Sequence, residues 1–211
     1  MGTSSEAPRE LLPSFFTERQ LTLVIEQPGT PSIRQELFPI LGGRKTFDGS
    51  PATSISTLLF LRNGRIHRQR KQIQGKEWAR LKVYEDTALL APGVNAPDEI
   101  KKLLDEVRPQ LVLVELSGYS AAQEKALLAA VDVCLENGVG VGIFIENGDV
   151  PTALTEMTDR ELIIGSVSET VFIIKEKTES GAVIRKFDFS HQQVTFEDSN
   201  EKELAAIMQW Q

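Results

Sequence analysis

Residues 24–37 read VIEQPGTPSIRQEL: an apolar strand, a Pro/Gly turn around Gly29, then an amphipathic helix. A phosphate-cradling loop begins this way, because backbone N–H groups at the start of a helix attract anions. The full template, G-x-x-x-x-G-K-[ST], adds a lysine for the terminal phosphates and a hydroxyl for Mg²⁺. Laid over EQPGTPSI, the first glycine falls on Glu26, the second on Pro31, the lysine on Ser32 and the hydroxyl on Ile33. Every chemical position is lost. Pro31 deletes an N–H that would face phosphate, and Glu26 would repel it. The stretch is expected to be a structural turn, with no hydrolysis and no cofactor. The same pattern also suits an ordinary strand–turn–helix.

Other residues offer other chemistry. Glu115 ends a strand-like run, LVLVE, and Lys186 lies far downstream with Cys134 between them in sequence. LVLVELSGYS resembles the Glu-bearing strand of the nitrilase superfamily, whose chemistry needs a cysteine polarised by a glutamate and a lysine. Cys134 falls in the middle of a predicted helix, which suits a small core residue better. His67 and His191 lack His or Cys neighbours at ligand spacing, so no metal site is expected. No G-x-S-x-G marks a nucleophilic serine.

The strongest charge feature is a basic run. Arg62, Arg65, Arg68, Arg70, Lys71 and Lys76 fall within residues 62–76, with no acid among them. Arginine presents a planar fork to carboxylate or phosphate. Charge of this kind also guards an edge strand against aggregation. An acidic protein surface is the expected partner, including a second copy, since the chain carries a net charge of -7. Nucleic acid is the alternative, although no aromatic residues interleave in the run to stack bases.

These residues need elements to hold them. The 211 residues, 41% hydrophobic, are enough to bury a core without disulfides. One cysteine fits a reducing compartment, so a cytoplasmic location is expected. No run of apolar residues is long enough to span a membrane. Residues 1–19 mix serine, proline and charge and read as a flexible linker or loosely docked arm, leaving 20–211 as a single α/β domain. LTLVIE (21–26), LVLVEL (111–116) and VGVGIFIEN (139–147) read as buried strands, with ELIIG (161–165) short and apolar. Helices are expected at 31–41, 95–107 and 120–138, the last with a Ser120/Gln123 capping box and Gly138 at its end. A short helix or turn is expected at PTALTEM, and a last short helix at 201–210. Asn63-Gly64 and Ser180-Gly181 each mark a β-hairpin. Alternating strands and helices predict a mainly parallel sheet flanked by helices, with antiparallel hairpins at the edge.

Taken in order, the strand before Glu26, the strand ending at Glu115, a long helix, the strand ending at Asn147 and IIGSVSETVFIIKEK resemble the additional-strand P-loop ATPases. These include RecA-like recombinases and FtsK-like translocases. More narrowly, the order is similar to the degenerate ATPase domains of type VII secretion coupling ATPases. The resemblance covers roughly residues 20–175. It implies a P-loop-like fold in which Glu26, Gly29, Pro31, Ser32, Glu115 and Asn147 are degenerate nucleotide-site positions. It implies a noncatalytic, protein-binding or self-associating module of a larger motor or secretion assembly. The alternatives are a nucleic-acid-associated RecA-like accessory protein and a nitrilase-like amidase.

Overall fold

The computed structural model describes residues 2–3, 8–16, 19–27, 32–41, 55–62, 81–116, 120–146, 150–178 and 181–196. Among them, six strands run parallel: β2 (Leu21–Glu26), β3 (Thr57–Leu61), β4 (Leu81–Glu85), β5 (Leu111–Leu116), β6 (Gly140–Glu146) and β7 (Arg160–Ser168). Their spatial order is β7-β2-β6-β5-β3-β4. Antiparallel strands β8 (Val171–Thr178), β9 (Gly181–Asp188) and β10 (Gln193–Phe196) extend the sheet beyond β7, and β1 (Gly2–Thr3) closes that edge. The protein is α/β, with a mostly parallel central sheet and antiparallel strands at one edge. Among the described residues no helix is long and apolar enough to cross a membrane.

The near-continuous apolar runs of β2, β5 and β6 are explained by burial on both faces. Side chains alternate across a strand, and β5 divides accordingly. Leu111 and Leu113 enter one core with Val24, Phe144 and Leu162. Val112 and Val114 enter the other with Leu23, Val141 and Ile143. Helix α2 (Arg34–Leu41) covers the first face through Leu37, Phe38, Ile40 and Leu41. The second face is covered by α3 (Thr87–Leu90), α4 (Ala96–Val107), α5 (Ala121–Glu136) and α6 (Thr152–Met157). The expected capping box of α5 is present: Ser120 Oγ accepts from the Gln123 N–H, and the Gln123 side chain accepts from the Ser120 N–H. Gly138 follows with φ +74, a left-handed conformation that suits glycine. Cys134 packs in the second core, and burial pushes its thiol up to about 12.

The structure adds to two expectations. Residues 8–16, assigned from sequence to a flexible arm, pack onto the first face as α1 (Pro8–Leu11) and a 3₁₀ turn (Leu12–Phe15). Leu12, Phe15 and Phe16 are buried there. Phe16 stacks on Phe144 at 5.7 Å, and the Thr22 hydroxyl donates to the Phe15 carbonyl at 2.7 Å. Arg160 and Arg185 bracket Glu176 and both lie over the Phe15 ring. In the hairpin expected across Asn63-Gly64 the first arm is β3, whose two edges are taken by parallel β4 and β5. Its second arm lies outside the described residues. The C-terminal hairpin is present as β8 and β9.

Candidate functional site

The site stands at the carboxyl ends of β2, β5 and β6. The period-two pattern that buries Val24, Leu113 and Phe144 on the α2 face also places Glu26, Glu115 and Glu146 there, each two residues further along. Glu26 and Glu146 are direct partners across the β2–β6 pair. Like charges at such positions repel, and Glu26 and Glu115 are buried. Among the described residues, Arg34 supplies positive charge to all three. Arg34 opens α2 and turns its guanidinium into the strand ends, with 3% of its side chain exposed. Nη1 donates to Glu115 Oε1 at 2.5 Å, and Nη2 to Glu26 Oε2 at 2.7 Å. Nη2 also donates to Glu146 Oε1. Nε donates to Ser32 Oγ at 2.6 Å, and the guanidinium carbon lies 5.8 Å from the centre of the Phe144 ring.

The remaining contacts close the arrangement. Glu26 Oε1 accepts from the Ser32 hydroxyl at 2.7 Å and from the Ile33 N–H at 3.1 Å. Its carboxylate thus sits at the N-terminus of α2, where partial positive charge favours an anion. The backbone N–H of Arg62 donates to Glu115 Oε2 at 3.3 Å. Connections from adjacent strands β2 and β6 leave on opposite faces, through α2 and α6 respectively. Such a switch point is where open α/β sheets bind ligands. Glu146, 34% exposed, forms the open side of the cluster.

Burial raises the pKa of Glu26 above its ordinary 4.5; Arg34 and Ser32 pull it back, and Glu146 adds to the rise. Burial lowers that of Arg34, but Glu26 and Glu115 outweigh it, and the net shift is upward. A carboxyl with a raised folded pKa binds protons more readily when folded. Its contribution to stability is complete below the unfolded value and is lost as pH rises through the folded one. The Glu26 contribution to stability is therefore expected to fall as pH rises from about 4.5, and Glu26→Gln should remove that part of the slope whatever it does to the level. Denaturant melts across a pH series of both proteins measure it; an unchanged slope would show that Glu26 titrates as it does unfolded.

Of the positions assigned from sequence, Glu26, Ser32 and Glu115 come together. Gly29, Pro31 and Asn147 lie outside the described residues. So do Arg65, Arg68, Arg70 and Lys71; Arg62 is exposed at the end of β3. Arg34 and Glu146 were missed. The signal for them is that two buried strands, LTLVIE and GVGIFIE, end in glutamate and a third, LVLVEL, carries one near its end. Buried carboxylates call for a cation, and Arg34 stands one turn past the loop. The amidase constellation does not form, because Glu115 and Cys134 lie on opposite faces of the sheet. Among the described residues no three His, Cys, Asp or Glu side chains are placed to share a metal ion; the three carboxylates are spread around a guanidinium instead. No protein-family model matches the chain, and no curated protein matches its sequence.

Proposed function

We propose that this chain is a noncatalytic, P-loop-like domain that works by binding protein, as a regulatory or assembly module within a larger motor or secretion machine. One observation carries the reading: Glu26 and Arg34 pair with each other at the strand ends. The Glu26 carboxylate takes the place at the start of α2 that a bound phosphate would need. The Arg34 guanidinium takes the place beside Glu115 that a metal ion would need. The strand order supports it too. β6 lies between β2 and β5, and the additional-strand arrangement requires one strand between the loop strand and the acid-bearing strand.

The test is calorimetric titration of Mg²⁺-ATP into the full chain, beside a phosphate-release assay. Neither heat of binding nor turnover is expected. Micromolar binding would overturn the reading, since no dissociable phosphate fits where Glu26 already sits.

The basic run 62–76 is the partner surface in this reading. Exposed charges contribute only about 0–1 kcal/mol each to stability, yet much more when desolvated against an acidic partner. The triple variant Arg65→Glu, Arg68→Glu, Arg70→Glu is therefore expected to melt near wild type while losing self-association or its lysate partner. Sizing, pull-down and thermal melting read this out. A variant that unfolds, or keeps every association, would remove the run from the account. Nucleic acid is the second reading, favoured by the same run of cations. Phosphate contacts would show as a steep, sequence-independent loss of affinity with salt.

A further inference from the structure

The Arg34 cluster does more than lack a catalytic lysine. Buried ion pairs are poor devices for stability alone, since apolar residues of similar size often serve as well. Here three carboxylates from three strands converge on Arg34, and two of them face each other across neighbouring strands. Each nitrogen of the fork has its own work. Nη1 reaches β5, Nη2 bridges β2 and β6, and Nε holds Ser32 in the turn before α2. Because Arg34 is the first residue of α2, the fork also moors that helix to the strand ends. A dissociable cation would hold the same carboxylates only while bound; a side chain cannot leave.

We propose that Arg34 is a tethered counter-ion that permanently fills the charge-binding position at the switch point, fixing the ends of β2, β5 and β6 and the start of α2 in one state that no ligand controls. This deepens, and rests on, the reading of the cleft as closed to nucleotide. The domain is then always in its partner-ready form, with no loading step.

Free guanidinium is the probe, since it matches the shape of the missing group. Arg34→Ala in the full chain is expected to melt about 10 °C below wild type. Millimolar guanidinium chloride should recover about half of that loss by occupying the vacated position. Sodium chloride at the same ionic strength should not, and wild type should respond to neither. Melting within about 2 °C of wild type, or equal recovery by the two salts, would overturn the proposal. If Arg34→Ala does not fold directly, its refolding yield is compared in the two salts, and equal yields overturn it as well. Arg34→Lys supplies the charge without the fork; it should melt between the two proteins, and melting with wild type would overturn the three-way role. Mg²⁺-ATP binding by wild type would instead sink the closed-cleft reading, leaving the guanidinium comparison standing.

Discussion

Arg34→Met is expected to lower the unfolding free energy by about 3–5 kcal/mol, because it removes the positive charge that Arg34 brings to buried Glu26 and Glu115. Methionine keeps much of the stem volume, so little of the loss comes from a cavity. Three acids then face one another at the ends of β2, β5 and β6, with Glu26 and Glu115 each no more than 5% exposed. The effect should be strongly non-additive. Removing Glu26 and Glu115 together with Arg34 should cost much less than the sum of the separate changes, since the variants share one network. Denaturant melts of the set measure this. Additive losses, or a loss below about 1 kcal/mol for Arg34→Met, would mean the cluster behaves as a set of surface pairs.

Phe16→Ala should cost about 3–5 kcal/mol, although its residue lies in a stretch that resembles a linker. Its ring stacks on Phe144 and rests over Gly142. A Cβ at position 142 would stand 2.8 Å from Phe16 Cδ1 and 2.5 Å from Leu113 Cδ2. The glycine is therefore what lets the N-terminal segment approach β6. Denaturant unfolding of Phe16→Ala checks this, and a loss below about 1 kcal/mol would place residues 8–16 outside the cooperative core.

Which parts of this were legible in the sequence follows from how local each signal is. The division of Leu111 and Leu113 from Val112 and Val114 needs only strand alternation, and the α5 cap only four residues. The N-terminal segment was hidden because Leu12, Phe15 and Phe16 sit among proline, serine and charge in turns too short to show a helical period. The Asn63-Gly64 signal describes a turn and carries no information on which strands flank β3, a matter settled by long-range pairing. The loop template drew attention to Glu26 and Ser32, which a hydrogen bond joins. It could not supply Arg34, because an arginine at the start of an amphipathic helix ordinarily faces water. Only when β2, β5 and β6 are placed side by side do their three glutamates create a position that such a cation must fill.

In the proposed reading the Arg34 guanidinium is locked among three strand ends, where a nucleotide's charged groups would have to sit. Nitrogen-detected NMR of the arginine side chains tests it most directly, with Arg34→Lys identifying the signal that disappears. Separate, slowly exchanging Nη1 and Nη2 resonances are expected for Arg34 at room temperature, because its fork cannot rotate without breaking contacts to Glu26, Glu115 and Glu146. Saturating Mg²⁺-ATP is expected to leave them unmoved. A single averaged resonance, as for an arginine in water, or a shift on adding nucleotide, would contradict it.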